Sequence, residues 1–88
     1  MMNFDTFLDR CKEIVRDYAN AHLDKSGGKK IGTDEVFVSW YCKTLQNAKA
    51  LLSTKLFDGM YYELTYNGNK DELYLDAYKK VENRCIKL

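Results

Sequence analysis

The sequence has little net charge, a single histidine and no long apolar run, and each shortage argues against a class of function. Fourteen basic and 13 acidic side chains leave a formal net charge of +1, which argues against a general binder of polyanions and against an acidic mimic of DNA. No apolar run approaches the roughly 18 residues that a membrane-spanning helix needs, and the chain does not start with the basic-then-apolar pattern of a secretory signal. We therefore expect a cytoplasmic protein with no membrane partner.

Cysteine and histidine are too few and too scattered for a metal site. Cys11, Cys42 and Cys85 are odd in number and far apart, and two of them fall on predicted apolar faces, so we interpret them as buried thiols rather than a disulfide framework. One histidine without a close cysteine pair provides neither the ligand number nor the spacing of zinc. No residue set has catalytic spacing either, and the sequence predicts a non-enzymatic protein without metal or cofactor.

Residues 1–88 are long enough for a single domain with one core. Apolar residues recur at steps of three and four over about 3–24, which predicts an amphipathic helix that Asn3 or Asp5 can cap. Its apolar stripe consists of Phe4, Phe7, Leu8, Cys11, Ile14, Val15, Tyr18 and His22. The rest reads as four strands, at about 34–44, 48–56, 60–66 and 71–79. The predicted fold is α+β, with two layers: an N-terminal helix packed on a four-stranded antiparallel meander.

The connections between the strands can be checked against the two-residue period of strand side chains. Leu45-Gln46-Asn47, read as a three-residue hairpin loop with its asparagine in the left-handed conformation, would place Trp40 opposite Leu52. Phe57-Asp58-Gly59, read as a second such loop with a left-handed glycine, would place Leu52 opposite Leu64. Both readings bring the apolar sets of the strands to the same side of the sheet.

The third connection contains Asn67-Gly68, a strong hairpin signal. Read as a loop of two or four residues, it keeps Leu73, Leu75 and Ala77 on the same apolar side. Because one helix covers only one face of a sheet, the opposite face is expected to be open. The partner-binding candidates on that open face are Phe37, Tyr41, Lys43, Lys49, Lys55, Tyr61, Tyr74 and Tyr78.

Three interpretations of this aromatic and basic surface stay open. Cross-strand aromatic pairs can simply stabilise a small sheet. Tyrosine and phenylalanine are also the rigid contact residues of protein interfaces. Aromatic rings interleaved with lysines are, in addition, how sheets bind single-stranded nucleic acid, although Glu63 and Asp76 fall within the same surface.

The helix provides a second, acidic candidate surface. Asp5, Asp9, Glu13 and Asp17 repeat every four residues and form a ridge that could contact a basic groove on another protein. The alternative is a solvated flank, in which Asp9 pairs with Lys12 and Glu13 with Arg16. The glycine-rich segment 24–32 follows a helix and precedes a strand, the reverse of a phosphate loop, so we interpret it as a basic connection. Periodicity does not decide the conformation of the tail, 79–88.

A resemblance covers nearly the whole chain. The run from Trp40 to Thr54, the segment Leu56–Glu63 and the segment Leu73–Lys80 resemble a family of small uncharacterised proteins encoded by phages and prophages of Gram-positive bacteria. The resemblance implies a protein that binds and inhibits a host protein, with a CRISPR effector nuclease or another defence nuclease as the expected partner. It transfers no binding residue. The alternatives are a nucleic-acid-binding accessory protein of phage replication, and a homodimer in which a second copy covers the open face or the edge of the first strand.

Overall fold

Helix α1, Phe4–Ala21, lies across one face of a four-stranded antiparallel sheet in the computed structural model, which describes residues 3–22, 29–56 and 58–88. A short 3-10 helix, Thr33–Glu35, leads into the sheet. The strands are β1 (Val36–Thr44), β2 (Asn47–Thr54), β3 (Met60–Asn67) and β4 (Glu72–Lys79), and they lie side by side in chain order. The predicted two-layer α+β architecture is confirmed.

Helix α1 begins where the sequence has a capping side chain. Asn3 Oδ1 accepts a hydrogen bond from the backbone N–H of Thr6 at 2.8 Å, which satisfies one of the free amides of the first turn. The apolar stripe faces the sheet, and four residues of the helix are completely or almost completely buried: Phe7, Cys11, Val15 and Ala19. The period thus predicted the buried side of the helix correctly, although it left out Ala19.

The prediction that His22 continues the buried stripe was wrong. His22 is exposed just beyond the helix, where its ring stacks on that of Tyr18 with centroids 4.1 Å apart. Its Nδ1 lies 2.8 Å from the backbone oxygen of Tyr18. The helix ends one turn earlier than its predicted limit at residue 24, so the stripe no longer reaches the sheet at this position.

The connection from the helix to the sheet is fastened by one side chain. The predicted basic connection over 24–32 lies in part outside the described residues, which resume at 29. Asn20 Nδ2 donates to the backbone oxygen of Ile31 at 3.0 Å, and the backbone N–H of Ile31 donates to Asn20 Oδ1 at 2.8 Å. Both backbone groups of a buried residue are thereby satisfied by one amide side chain.

The faces of β2, β3 and β4 agree with the predicted alternation, but one register does not. Leu52 lies opposite Tyr62, whereas a three-residue loop would have placed it opposite Leu64. The connection is longer, from 55 to 59, and the predicted loop residue Phe57 lies outside the described residues. Gly59 has the expected left-handed conformation, with φ of 71°. A slip of two residues preserves the side to which every side chain points, so the apolar face survives the error.

Strand β1 departs from the prediction at a β-bulge. Val38 pairs with Leu52 and Trp40 with Leu51, which leaves Ser39 as an extra residue. Leu45 and Gln46 alone form the hairpin turn, with the left-handed conformation at Leu45 (φ 54°) rather than at Asn47, which already belongs to β2. Because the turn is one residue shorter than predicted, residues 40–44 point to the side of the sheet opposite to the predicted one. The bulge at Ser39 returns Val36 and Val38 to the predicted apolar side.

Two turns meet at one end of the sheet. The backbone N–H of Gly68 donates to Asn47 Oδ1 at 3.1 Å, and Gln46 Nε2 donates to Asn69 Oδ1 at 2.7 Å. A Cβ atom at Gly68 would lie 2.0 Å from the backbone oxygen of Gln46, so this position requires glycine because the two turns approach closely. The loop between β3 and β4 has four residues, 68–71, which is one of the two predicted lengths, but it lies one residue later than the predicted strand bounds of 66 and 71 imply.

The core lies between α1 and the first three strands, against which the helix mainly packs. Its largest fully buried side chains are Tyr62, Phe7, Leu52 and Leu64. Residues 80–88 follow β4 without further helix or strand, and all of them are exposed.

Candidate functional site

The sheet face turned away from α1 is covered by no other described element, and we call it the open face. Five large aromatic rings lie on it, each between 37% and 53% exposed. They are Phe37 and Trp40 on β1, Tyr61 on β3, and Tyr74 and Tyr78 on β4. Between them lie one leucine, Leu51, and the polar or small residues Cys42, Lys49, Ser53, Glu63, Thr65 and Asp76.

Only part of the predicted partner-binding set lies on this face. Phe37, Lys49, Tyr61, Tyr74 and Tyr78 are there as predicted. The placement of Tyr41 and Lys43 was wrong, because the two-residue turn at Leu45 and Gln46 sets both on the helix side, where they pair with the buried Ala50 and Ala48. Opposite residues in a sheet point to the same side.

Trp40 was also predicted on the wrong side, and unlike Tyr41 and Lys43 it belongs to the open face. The predicted pairing with Leu52 would put Trp40 on the buried side, yet Trp40 is 53% exposed on the open face and Cys42 is exposed beside it. A shallow depression of about 220 Å³ lies at this corner, lined by Trp40, Cys42, Thr44, Asn47, Ala48, Lys49 and Thr65. Trp40 and Tyr41 are adjacent large aromatic residues directly after the bulge, so the local sequence does not show which of them faces the helix.

Two tyrosines of the open face stack on each other. Tyr61 and Tyr78 are cross-strand partners, and their rings stack with centroids 5.2 Å apart and an angle of 18° between planes. Stacking of this kind holds both side chains in one orientation, so little rotamer freedom is left to lose on binding. The charge of Glu63 raises the pKa of the Tyr78 hydroxyl, with partial burial and Asp76 adding to the shift. Glu63 and Asp76 therefore outweigh Lys49 in their effect on this hydroxyl.

The lysines of the predicted site are largely engaged with carboxylates. Lys49 Nζ lies 3.5 Å from Glu63 Oε1 on the open face. Lys55 lies beyond the end of β2, with its Nζ 2.8 Å from Glu35 Oε1, and this contact lowers the pKa of Glu35. Glu63 also faces Asp76 across the β3–β4 ladder. The open face is thus aromatic and mildly acidic, whereas the sequence analysis predicted an aromatic and basic surface.

The predicted acidic flank is present on the helix, but its ion pairs differ from the predicted ones. Glu13 pairs with Arg10 at 3.3 Å, and Asp17 with Arg16 at 2.9 Å. Asp9 and Glu13 line a second depression of about 400 Å³ together with Lys12, Thr33 and Asp34. Asp5 and Asp17 lie nearer the two ends of the helix, so the four carboxylates do not converge on one point.

The cysteines divide into one buried and two exposed thiols. Cys11 is fully buried, and burial raises its pKa to about 12. Cys42 and Cys85 are exposed, which corrects the prediction of buried thiols for those positions. Among residues 3–22, 29–56 and 58–88, no group of three His, Cys, Asp or Glu side chains is arranged to hold a metal ion. Within the same part of the chain, no helix combines the length and apolar character needed to cross a bilayer.

A family model matches residues 8–88, which includes most of the helix, the whole sheet and the exposed tail. The chain belongs to DUF6275, a family of unknown function. No curated protein and no solved structure matches this DUF6275 member. These comparisons indicate no function for this member, and the open face of the described sheet is its main candidate site.

Proposed function

We propose that this DUF6275 member is a non-enzymatic binding protein that docks on another protein through its open face. One observation carries the proposal: five large aromatic rings lie half-exposed on the uncovered side of the sheet. Aromatic side chains dominate the energetics of protein interfaces because each buries a large area and loses little rotamer entropy. Burial of these rings against a partner would remove a large aromatic area from water and stabilise the complex.

The charge of the open face favours a protein partner over a nucleic acid. Lys49 is paired with Glu63, Lys43 points to the helix side, and Asp76 adds a further negative charge. Nucleic-acid binding depends on cations that neutralise phosphates, and few are free here. A protein surface with arginine or lysine near its centre would complement Glu63 and Asp76 and could also lie against the tyrosine rings.

The more specific form of the proposal concerns the partner. The resemblance to phage and prophage proteins supports a host protein in the bacterial cytoplasm, with a CRISPR effector nuclease or another defence nuclease as the leading candidate. The effect would be steric, because the docked chain covers a surface that the nuclease needs. In a DNA-cleavage assay, increasing amounts of the chain should then reduce cleavage by the sensitive nuclease.

The test of the surface compares two tyrosines of the open face with one tyrosine of the helix side. The double variant Tyr61→Ala with Tyr78→Ala removes the stacked pair and should abolish capture of the partner by the immobilised chain. Tyr41→Ala is the matched control, because Tyr41 is similarly exposed but lies on the helix side. Capture that survives the double variant, with both variants shown to be folded by thermal unfolding, would assign the interaction to another surface.

The nucleic-acid alternative has one observation in its favour, the outward position of Trp40, since tryptophan is a good stacking platform for bases. Gel shifts with short single-stranded DNA and RNA at two salt concentrations separate the two functions. Salt-sensitive retardation that is lost in Trp40→Ala would support the accessory protein of phage replication. We expect no retardation from a protein that acts by docking on another protein.

A further inference from the structure

The two edges of the sheet differ in how they are protected. At the β1 edge, the bulge at Ser39 interrupts the regular ladder. At the other edge, β4 runs for eight residues, pairs with β3 over its whole length without a bulge, and contains no proline. Residues 80–88 place no strand beside it. Bulges, prolines and covering segments keep an edge from pairing with another chain, and β4 has none of the three; its edge carries only the charges of Glu72, Asp76 and Lys79.

The helix side of β4 is also incompletely covered. Helix α1 packs mainly on β1, β2 and β3, so Leu73 and Leu75 are only half-buried and Ala77 is exposed. This apolar row lies at the boundary of the core. A strand added beside β4 would place its own side chains next to this row and reduce the apolar area that the row exposes to water.

The charges along β4 indicate which strand would pair with its free edge. Asp71 and Glu72 stand at its beginning, and Lys79 and Lys80 stand at its end. In an antiparallel alignment of two identical strands, the acidic beginning of each lies beside the basic end of the other. We infer that the β4 edge pairs with β4 of a second copy of this chain, antiparallel across a two-fold axis. The two sheets then form one sheet of eight strands.

The register of the proposed pairing, that is, which residues of the two β4 strands lie opposite each other, follows from their charges and from the side of the sheet to which each residue points. A two-fold axis perpendicular to the sheet keeps each side chain on its own side, so only residues on the same side face each other. An axis at Asp76 would oppose two carboxylates, and an axis at Tyr74 would set Glu72 against Asp76 of the second copy. Like charges in those positions are destabilising. An axis at Leu75 avoids both conflicts, and it pairs Tyr74 with Asp76, Leu73 with Ala77, and Asp71 with Lys79 of the second copy.

This dimer would also enlarge the open face. Tyr74 and Tyr78 of both copies would lie next to each other at the junction, so the aromatic surface would continue from one chain into the next. That consequence rests on the proposed function of the open face, whereas the pairing itself does not. The experiments below measure association without any partner protein, so they leave the docking proposal untouched if they fail.

The first experiment measures mass by light scattering at increasing concentration. We expect the wild-type chain to approach twice its 10.3 kDa. Ala77→Lys should return it to the mass of one chain, because an inward-pointing lysine on an edge strand opposes pairing, and Ala77 is exposed so the fold should tolerate it. Ser39→Lys, an equally exposed change on the β1 edge, is the matched control and should remain dimeric. A wild-type chain that stays monomeric throughout would overturn the inference.

The second experiment tests the register by cross-linking. In a Cys42→Ser and Cys85→Ser background, Leu75→Cys should form a disulfide-linked dimer under mild oxidation, because opposite residues in an antiparallel pair have Cα atoms about 4.5 or 5.5 Å apart, within the range for a disulfide. Ser39→Cys in the same background should remain monomeric on a non-reducing gel. Cross-linking of Ser39→Cys alone would assign the dimer to the β1 edge instead. Should Leu75→Cys fail to fold, the mass of Ala77→Lys still decides the question.

Discussion

The ring of Tyr41 packs against the ring of Phe4, with centroids 4.9 Å apart, so this tyrosine belongs to the helix layer rather than to the open face. The contact joins the first turn of α1 to the second half of β1. It exists because the two-residue turn at Leu45 and Gln46 places Tyr41 on the helix side of the sheet. A residue that the sequence analysis assigned to binding is therefore a structural contact.

Tyr41→Ala is expected to reduce stability and to leave partner binding intact. Loss of one aromatic pair costs about 1 kcal/mol, which corresponds to a fall in Tm of about 4–8 °C for a domain of this size. Thermal unfolding followed by circular dichroism measures the effect. A Tyr41→Ala variant with unchanged Tm and lost partner capture would return this residue to the binding surface.

Trp40 provides a direct optical test of the bulge, because it is the chain's single tryptophan. With its side chain on the open face and 53% of the residue exposed, its fluorescence should be quenched by acrylamide in the folded protein nearly as readily as in denaturant. Deletion of Ser39 should preserve this accessibility, because Val38 and Trp40 already pair with consecutive residues of β2. A tryptophan protected from the quencher would instead support the regular alternation without a bulge.

Asn20→Ala should destabilise the fold through two backbone groups. The variant leaves the N–H and C=O of the buried Ile31 without their partner, and each unsatisfied buried group costs about 1–3 kcal/mol. Urea denaturation should show a lower midpoint with an unchanged slope. Asn20→Asp retains an acceptor but loses the donor, so we expect a value between those of Asn20→Ala and the wild type. Asp17→Ala, an exposed change on the same helix, serves as the control.

Cys11 should make the protein sensitive to alkali. Burial raises the pKa of this thiol from 9.0 to about 12, so between these values the unfolded chain releases a proton that the folded chain retains. The stabilisation by the neutral thiol is complete below pH 9 and is lost as the pH rises towards 12, by about 1.4 kcal/mol per pH unit. The free energy of unfolding, measured from pH 8 to 10, should fall less steeply in Cys11→Ala. This range avoids most of the contribution from Tyr62, whose pKa is raised by burial from 10.0.

The same cysteine gives a simpler readout at pH 8. A thiol reagent should modify Cys42 and Cys85 in the folded chain, because both are exposed, and should reach Cys11 only after denaturation. Three thiols reacting at one rate would contradict the burial of Cys11.

Much of the fold follows from periodicity, and the errors have one physical origin. The three- and four-residue steps predicted the buried side of α1, and the two-residue period predicted which sides of β2, β3 and β4 are apolar. That period fixes only whether a residue lies on one side or the other. It does not fix how far one strand is displaced along its neighbour, so the β2–β3 register was wrong by two residues while its faces were right.

The candidate site was harder to predict, because a change of one residue in the length of a turn or strand moves the neighbouring side chains to the opposite side of the sheet. Trp40 and Tyr41 are both large and aromatic, so either could face the helix, and local sequence does not distinguish them. The two-residue turn at Leu45 and Gln46 decides which of the two faces the helix, because it fixes how the end of β1 pairs with β2. The bulge at Ser39 then absorbs the mismatch with the beginning of the strand.

The sequence by itself determined the helix, the four strands and the existence of an uncovered aromatic face, because these follow from local hydrophobic periodicity and from the area that one helix can cover. Tertiary structure alone decided the membership of that face and the difference between the two sheet edges. Both depend on how β1 fits β2 and on where α1 lies over the sheet. These are contacts between distant parts of the chain, which no local pattern specifies.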